Sequence, residues 1–124
     1  MTKPRIYVQA QSLYIEEQSF PEQNRYAFSY VISIKNLEAF EVQLLRRYWI
    51  ITDSNGKKIE VSGGGVVGEQ PIIQPNSHYQ YTSSALLETP IGAMQGYYEM
   101  QSATGLILNV TIPVFRLAIN KLIH

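Results

Sequence analysis

The feature that most constrains this chain is a hydrophobic period of two residues that recurs along most of its length. Tyr26, Phe28, Tyr30, Ile32 and Ile34 fall on one face of an extended segment, while Ala27, Ser29, Ser33 and Lys35 fall mostly on the other. Successive side chains of a strand point to opposite faces, so this spacing describes a strand with one buried side. Leu106, Leu108, Val110 and Ile112 repeat it, with Asn109 and Thr111 opposite. Residues 5–15 alternate through Ile6, Val8 and Ala10 and then slip phase to Leu13 and Ile15, which predicts one β-bulge.

Other segments extend the same reading. The stretch from Val42 to Thr52 is β-branched and aromatic on both faces, as expected of a central strand. Asp53-Ser54-Asn55-Gly56 follows, and Asn-Gly between strands predicts a hairpin into residues 57–62. A further strand is expected over 78–84, with Tyr79 and Tyr81 on one side. Ala103-Thr104-Gly105 predicts a second hairpin, joining 96–102 to 106–112. Pro113 implies an edge or a bulge before the strand resumes through Val114, Phe115 and Leu117. Residues 114–123 are read as strand rather than amphipathic helix, since the segment is short and lacks an N-cap signal. Loops are expected at 16–24, 36–41, 63–76 and 85–95. Seven or eight short strands at this spacing predict an all-β antiparallel sandwich or barrel occupying residues 1–124 as one domain.

Composition narrows function more than fold. A chain of 124 residues buries about two-thirds of its surface, enough for one core without cross-links. Ten basic and ten acidic residues cancel, which argues against nucleic acid as the main partner. There is no cysteine, so disulfides, thiolate nucleophiles and thiolate metal sites are excluded together. The N-terminus has no apolar signal core and no apolar run approaches spanning length, so a soluble, cytoplasmic protein without membrane insertion is expected. The two histidines, His78 and His124, cannot complete a zinc site, and the nine glutamates and one aspartate form no ligand cluster. Ser77 and His78 are neighbours whose side chains point to opposite faces of a strand. No catalytic constellation, metal site or cofactor is expected.

The most distinctive stretch is Gly63-Gly64-Gly65-Val66-Val67-Gly68-Glu69-Gln70-Pro71. Gly63, Gly65 and Gly68 match dinucleotide-binding spacing, but that motif requires a helix to begin at the last glycine. Pro71 and Pro75, with Ile72 and Ile73 between them, cannot start one. Two readings stay open. The glycines permit a sharp connection between sheets, or Gly63, Gly64, Gly65, Gly68 and Glu69 form a loop that holds a small anion on free amides. Arg46-Arg47-Tyr48-Trp49 carries residue types that dominate interfaces, with Trp49 expected in the core. Arg47, Tyr79 and Tyr81 are therefore candidate partner contacts. So are Leu87, Ile91 and Met94, which with Leu86 either tuck onto the rim or form an exposed patch.

The run from Arg47 to Asp53, the block from Gly63 to Pro71, Tyr81-Thr82-Ser83 and Gly96-Tyr97-Tyr98 together resemble the bacterial ApaG proteins. The similarity covers nearly the whole chain; the small residue that follows Tyr-Thr-Ser in that family is here Ser84, a looser match. The resemblance implies a fibronectin type III-like, and so immunoglobulin-like, two-sheet sandwich. It implies a link to cobalt resistance and magnesium efflux, which a chain without a membrane span serves only indirectly. Related domains in eukaryotic F-box and DNA-polymerase-associated proteins look like protein-binding modules. The expected function is a non-catalytic domain that binds an unidentified protein partner. The alternative is a small-anion or pyrophosphate sensor, and open sheet edges offer a route to a homodimer.

Overall fold

The computed structural model describes residues 3–119. Eight strands follow one another: β1 (Ile6–Tyr14), β2 (Tyr26–Asn36), β3 (Val42–Asp53), β4 (Lys58–Gly64), β5 (Ile72–Ile73), β6 (His78–Leu87), β7 (Ile91–Ser102) and β8 (Ile107–Ala118). They form two antiparallel sheets. One has the order β1-β2-β6; the other has the order β4-β3-β7-β8, with β5 paired to β3. A three-stranded sheet thus faces a five-stranded one, in which β4 and β5 share one edge of β3, across a single core, as in an immunoglobulin-like sandwich. No helix among the described residues is long and apolar enough to cross a membrane.

The alternation predicts the core faces well. Phe28, Tyr30, Ile32 and Ile34 of β2 are buried, as are Val110 and Ile112 of β8. Trp49 is buried too, and its ring meets Tyr30, Tyr98 and Phe115 edge to face or tilted at 5.7–6.3 Å. β3 is central as expected, flanked by β7 on one side and by β4 and β5 in succession on the other.

One irregularity lies where Pro113 implied an edge or a bulge, and the bulge expected in residues 5–15 does not form. β1 pairs with β2 in unbroken register from Ile6 to Tyr14. The inward place that follows Ala10 is taken by Ser12, whose hydroxyl donates to the carbonyl of Arg116 in β8 at 2.8 Å, while Leu13 points outward. A polar residue that satisfies a carbonyl across the sandwich imitates a phase slip. The real register shifts are between Leu44 and Arg46 in β3 and between Met94 and Gly96 in β7. The second sets Pro113 and Val114 of the edge strand β8 against the single residue Gln95, so the extra residue is in β8, where the ladder tolerates a missing donor.

Both expected hairpins form, through a turn other than the two-residue Asn-Gly type. Asp53 N–H bonds Lys57 O at 2.9 Å and Gly56 N–H bonds Asp53 O at 3.1 Å, with only Gly56 at positive φ. This is a three-residue loop closed by a glycine bulge. Ser102, Gly105 and Leu106 repeat the same pattern. The segment 16–24 contains two short 3-10 turns. The expected loop at 85–95 shrinks to three residues, because β6 runs on to Leu87 and β7 begins at Ile91. Residues 120–123 of the expected last strand lie outside the described residues.

The two lateral edges of the sandwich differ. At one, β1 and β8 approach each other and Ser12 joins them. At the other, β6 and β4 do not approach in this way; among the described residues each of the four edge strands, β1 and β8 included, has a backbone neighbour on one side only.

Candidate functional site

The bulge in β3 builds the site. Leu44 faces the core, Leu45 is the extra residue, and after it Arg47, Trp49 and Ile51 take the inward positions. An arginine thereby enters the inner face in register with Tyr98 on β7 and Gly63 on β4. Gly63 makes room for it: a Cβ there would lie 3.1 Å from the guanidinium.

The glycine stretch is the counterpart of that bulge. β4 and β5 run in line along the same edge of β3, and residues 65–71 leave the edge opposite Leu45 before returning. The Leu45 carbonyl accepts from Gly65 N–H at 2.7 Å and from the Gln70 side chain at 3.0 Å; Pro71 O accepts from Leu44 N–H at 3.0 Å. Val66 and Glu69 exchange two backbone bonds, at 2.8 and 2.9 Å, around a tight turn formed by Val67 and Gly68, both at positive φ. Gly65 is obligatory. Its φ is +62°, and a Cβ would stand 2.2 Å from the Glu69 carbonyl.

This geometry sets what the loop offers a ligand. The amides of Gly65, Val66 and Glu69 already bond backbone carbonyls. Two carbonyls, Gly64 O and Gly65 O, accept from one terminal nitrogen of Arg47 at 3.0 and 2.9 Å. The loop therefore holds the arginine, and the arginine is the charged group that lines the cleft. The structure joins what were two separate candidates, Arg47 and the glycines, into one cleft of about 270 Å³. Tyr30, Tyr81, Ser83 and Trp49 complete its walls.

Electrostatics make the cleft a donor. Among the described residues the only ion pair within 4.0 Å is Lys57–Glu88, so the half-buried guanidinium of Arg47 has no carboxylate partner. The Tyr81 and Tyr98 hydroxyls bond each other beneath it. Burial pushes both well above the usual tyrosine value; Tyr30 is raised by burial too, against smaller opposing effects of Ser83 and Arg47. These phenols stay protonated at neutral pH and donate.

The remaining candidates divide. Tyr79 is half-buried at the cleft's end, its hydroxyl 3.3 Å from Glu69, so Glu69 ties the loop to β6. Tyr81 lies inside the cleft, reachable by a ligand but not part of an outer surface. Leu87 and Met94 do not form a patch; both are core residues, because strands extend through positions expected as loop. Leu86 is exposed on the opposite face of β6, and Ile91 is at the margin of exposure. A larger depression of about 610 Å³ lies by β1 and β8 near Gln9, Gln11, Ser33 and Pro113, and no charged side chain lines it. Among the described residues no group of three or more His, Cys, Asp or Glu could hold a metal ion.

Comparison with known proteins places the chain. The family model for the ApaG domain (DUF525) matches residues 16–102. The chain is 57% identical over 121 residues to Protein ApaG of Pectobacterium carotovorum, covering 98% of this chain and 97% of that one. It is 54% identical over 124 residues to Protein ApaG of Escherichia coli O1:K1, covering 100% and 99%. A crystal structure of the putative ApaA protein from Bordetella pertussis superimposes with a TM-score of 0.91 at 39% identity, covering 98% of this chain and 99% of that one. An X-ray structure from the Northeast Structural Genomics Consortium also reaches 0.91, at 52% identity over 96% and 90%. This chain belongs to the ApaG family.

Proposed function

We propose that this domain is a non-catalytic protein-interaction module that recognises an acidic group of its partner with Arg47. The observation that carries this reading is a half-buried guanidinium, fixed by two glycine carbonyls and facing a cleft without a carboxylate to neutralise it. Burying a charge is unfavourable unless it is paired, and a carboxylate would restore that balance with charge-assisted bonds. The other groups in the cleft fit recognition better than turnover. General acid–base work favours pKa values near neutrality, whereas Tyr30, Tyr81 and Tyr98 are driven away from it. The family link to cobalt and magnesium then runs through the partner rather than through a metal held here. The domain is assigned to the cytoplasm on the same reading.

The test is affinity capture from a cell lysate with the natural domain and with Arg47→Gln side by side. A saturable partner retained by the first and lost by the second supports the reading; equal capture by both sinks it.

A second reading is a free phosphate or pyrophosphate in the same cleft, favoured by Val67 and Gly68, which line it and whose amides make none of the loop's backbone bonds. It predicts amide shift changes at residues 63–69 on titration with either anion. A flat titration to millimolar concentration removes it.

A further inference from the structure

The edge of the sandwich that contains Arg47 is one strand short. The four-strand path β4-β3-β7-β8 faces only β1-β2-β6. β1 lies over β8, so among the described residues no strand stands opposite β4. The sequence of β4 nonetheless alternates as though it were covered. Lys58, Glu60 and Ser62 face outward, while Ile59 and Val61 pair with Ile51 and Trp49 and point inward. Those two inward side chains are 40% and 37% exposed, because no strand lies over them.

The neighbouring edge has the complementary need. β6 bonds β2 along its whole length, and its other edge has no backbone partner among the described residues. Its inward residues beside the gap, Ser83 and Ala85, are small and do not fill it. The gap is bounded at both ends. Glu88 N–H bonds Asp53 Oδ2 at 3.1 Å and Lys57 Nζ meets Glu88 Oε2 at 3.0 Å, tying the β3–β4 turn to the end of β6. At the other end Tyr79 meets Glu69. Between these ties runs a groove about as long as a strand of eight residues, at roughly 3.3 Å per residue.

We propose that this groove accepts one extended segment of a partner protein, added as a fourth strand to the free edge of β6. This deepens the acidic-partner reading above and rests on it for the position of Arg47. An added strand bonds the open edge of β6 and turns alternate side chains inward. Apolar residues at those positions cover Ile59 and Val61. One carboxylate, placed abreast of Tyr81 and Ser83, reaches Arg47. The groove's chemistry is apolar at one end and cationic at the other, so the occupant alternates apolar residues with an acid at one end of the alternation.

The test uses a displayed library of random peptides about twelve residues long, long enough at ~3.3 Å per residue to fill the groove. Selected on the natural domain, the enriched peptides carry alternating apolar residues and one Asp or Glu. Val61→Glu and Arg47→Gln each weaken them by at least about tenfold, the usual scale for losing a charged contact. Val114→Glu, on exposed β8 at the other edge, leaves them unchanged. Alternate amides of residues 79–87 in the unmutated domain slow their hydrogen exchange when a peptide binds, a readout independent of how any variant folds. Peptides that need Arg47 but leave β6 exchange unchanged overturn the added strand and spare the acidic-partner reading. Peptides without an acid that protect β6 do the reverse. No enrichment, or β6 protection that grows with protein concentration alone, overturns the proposal, the latter by assigning the edge to a second copy.

Discussion

At the β1/β8 edge the two sheets approach and bond each other beside an uncharged depression, and at the β6/β4 edge the inward face of β4 stays exposed around a cationic cleft. Ser12 satisfies a carbonyl of β8, and Leu117 of β8 is fully buried in the core. On the other side the inward residues of β4 meet water, a guanidinium has no counter-ion among the described residues, and a valine is held at positive φ. The contrast teaches where this domain departs from the consistency that makes a sequence foldable. Local choices agree with the global fold along one edge, and they leave an apolar face, a charge and strain unanswered along the other. Such departures are expected where binding supplies the missing partner.

The comparison is broken most directly by truncating one residue on each side. Leu117→Ala is expected to lower stability by about 3 kcal/mol, since a fully buried leucine leaves a cavity. Val61→Ala, already partly in water, is expected to cost under about 1 kcal/mol. Urea midpoints of the two variants provide the measurement. Equal losses would mean that the open edge is packed after all.

Gly65→Ala comes next, at about 2 kcal/mol, because the new methyl would need the left-handed region and the space of the Glu69 carbonyl. The same substitution should release Arg47, which takes one of its two acceptors from Gly65. Amide shifts confined to residues 44–47 and 63–71 would show that bulge and loop move together.

High pH acts on the hydroxyls beneath the cleft. Tyr81 and Tyr98 titrate above their unfolded value of 10.0, so unfolding lets them ionise first. Stability is intact below pH about 10 and falls as pH rises beyond it, by about 1.4 kcal/mol per pH unit for each such tyrosine. Urea midpoints followed upward from pH 9 or so, with tyrosinate absorbance recorded in parallel, test this. A midpoint that stays level while the buried tyrosines ionise would contradict their placement.

Much of this was legible in the residues before the structure, and the exceptions share a cause. Period two located the core faces of β2 and of much of β8 because alternation is a local property. The glycine stretch and Arg47 were both visible, yet their meeting was not. It depends on a bulge at Leu45, and Leu44-Leu45 gives no polar residue by which a phase change could be seen. Ser12 misled in the opposite sense, since the carbonyl that justifies it belongs to Arg116, far along the chain. The loop expected over residues 85–95 is a further exception. Only three of those residues connect strands, and Leu87 and Met94 at the flanks go into the core.

The smallest expected effect sharpens the comparison further. Val67 has φ +43° at the tip of the turn, where a β-branched side chain is strained and where asparagine is tolerated. Val67 is exposed, so its side chain gains little burial in return. Val67→Asn should therefore raise stability, by about 1 kcal/mol, with no change at the β1/β8 edge. A natural residue that lowers stability and is cheaply improved is expected where selection acts on something other than stability. Val67 also lines the cleft beside Arg47, so the same variant should bind the cleft's ligand more weakly while melting later. A variant that gains stability and keeps full binding would make the strain incidental, and one that loses stability would show that the turn is not strained.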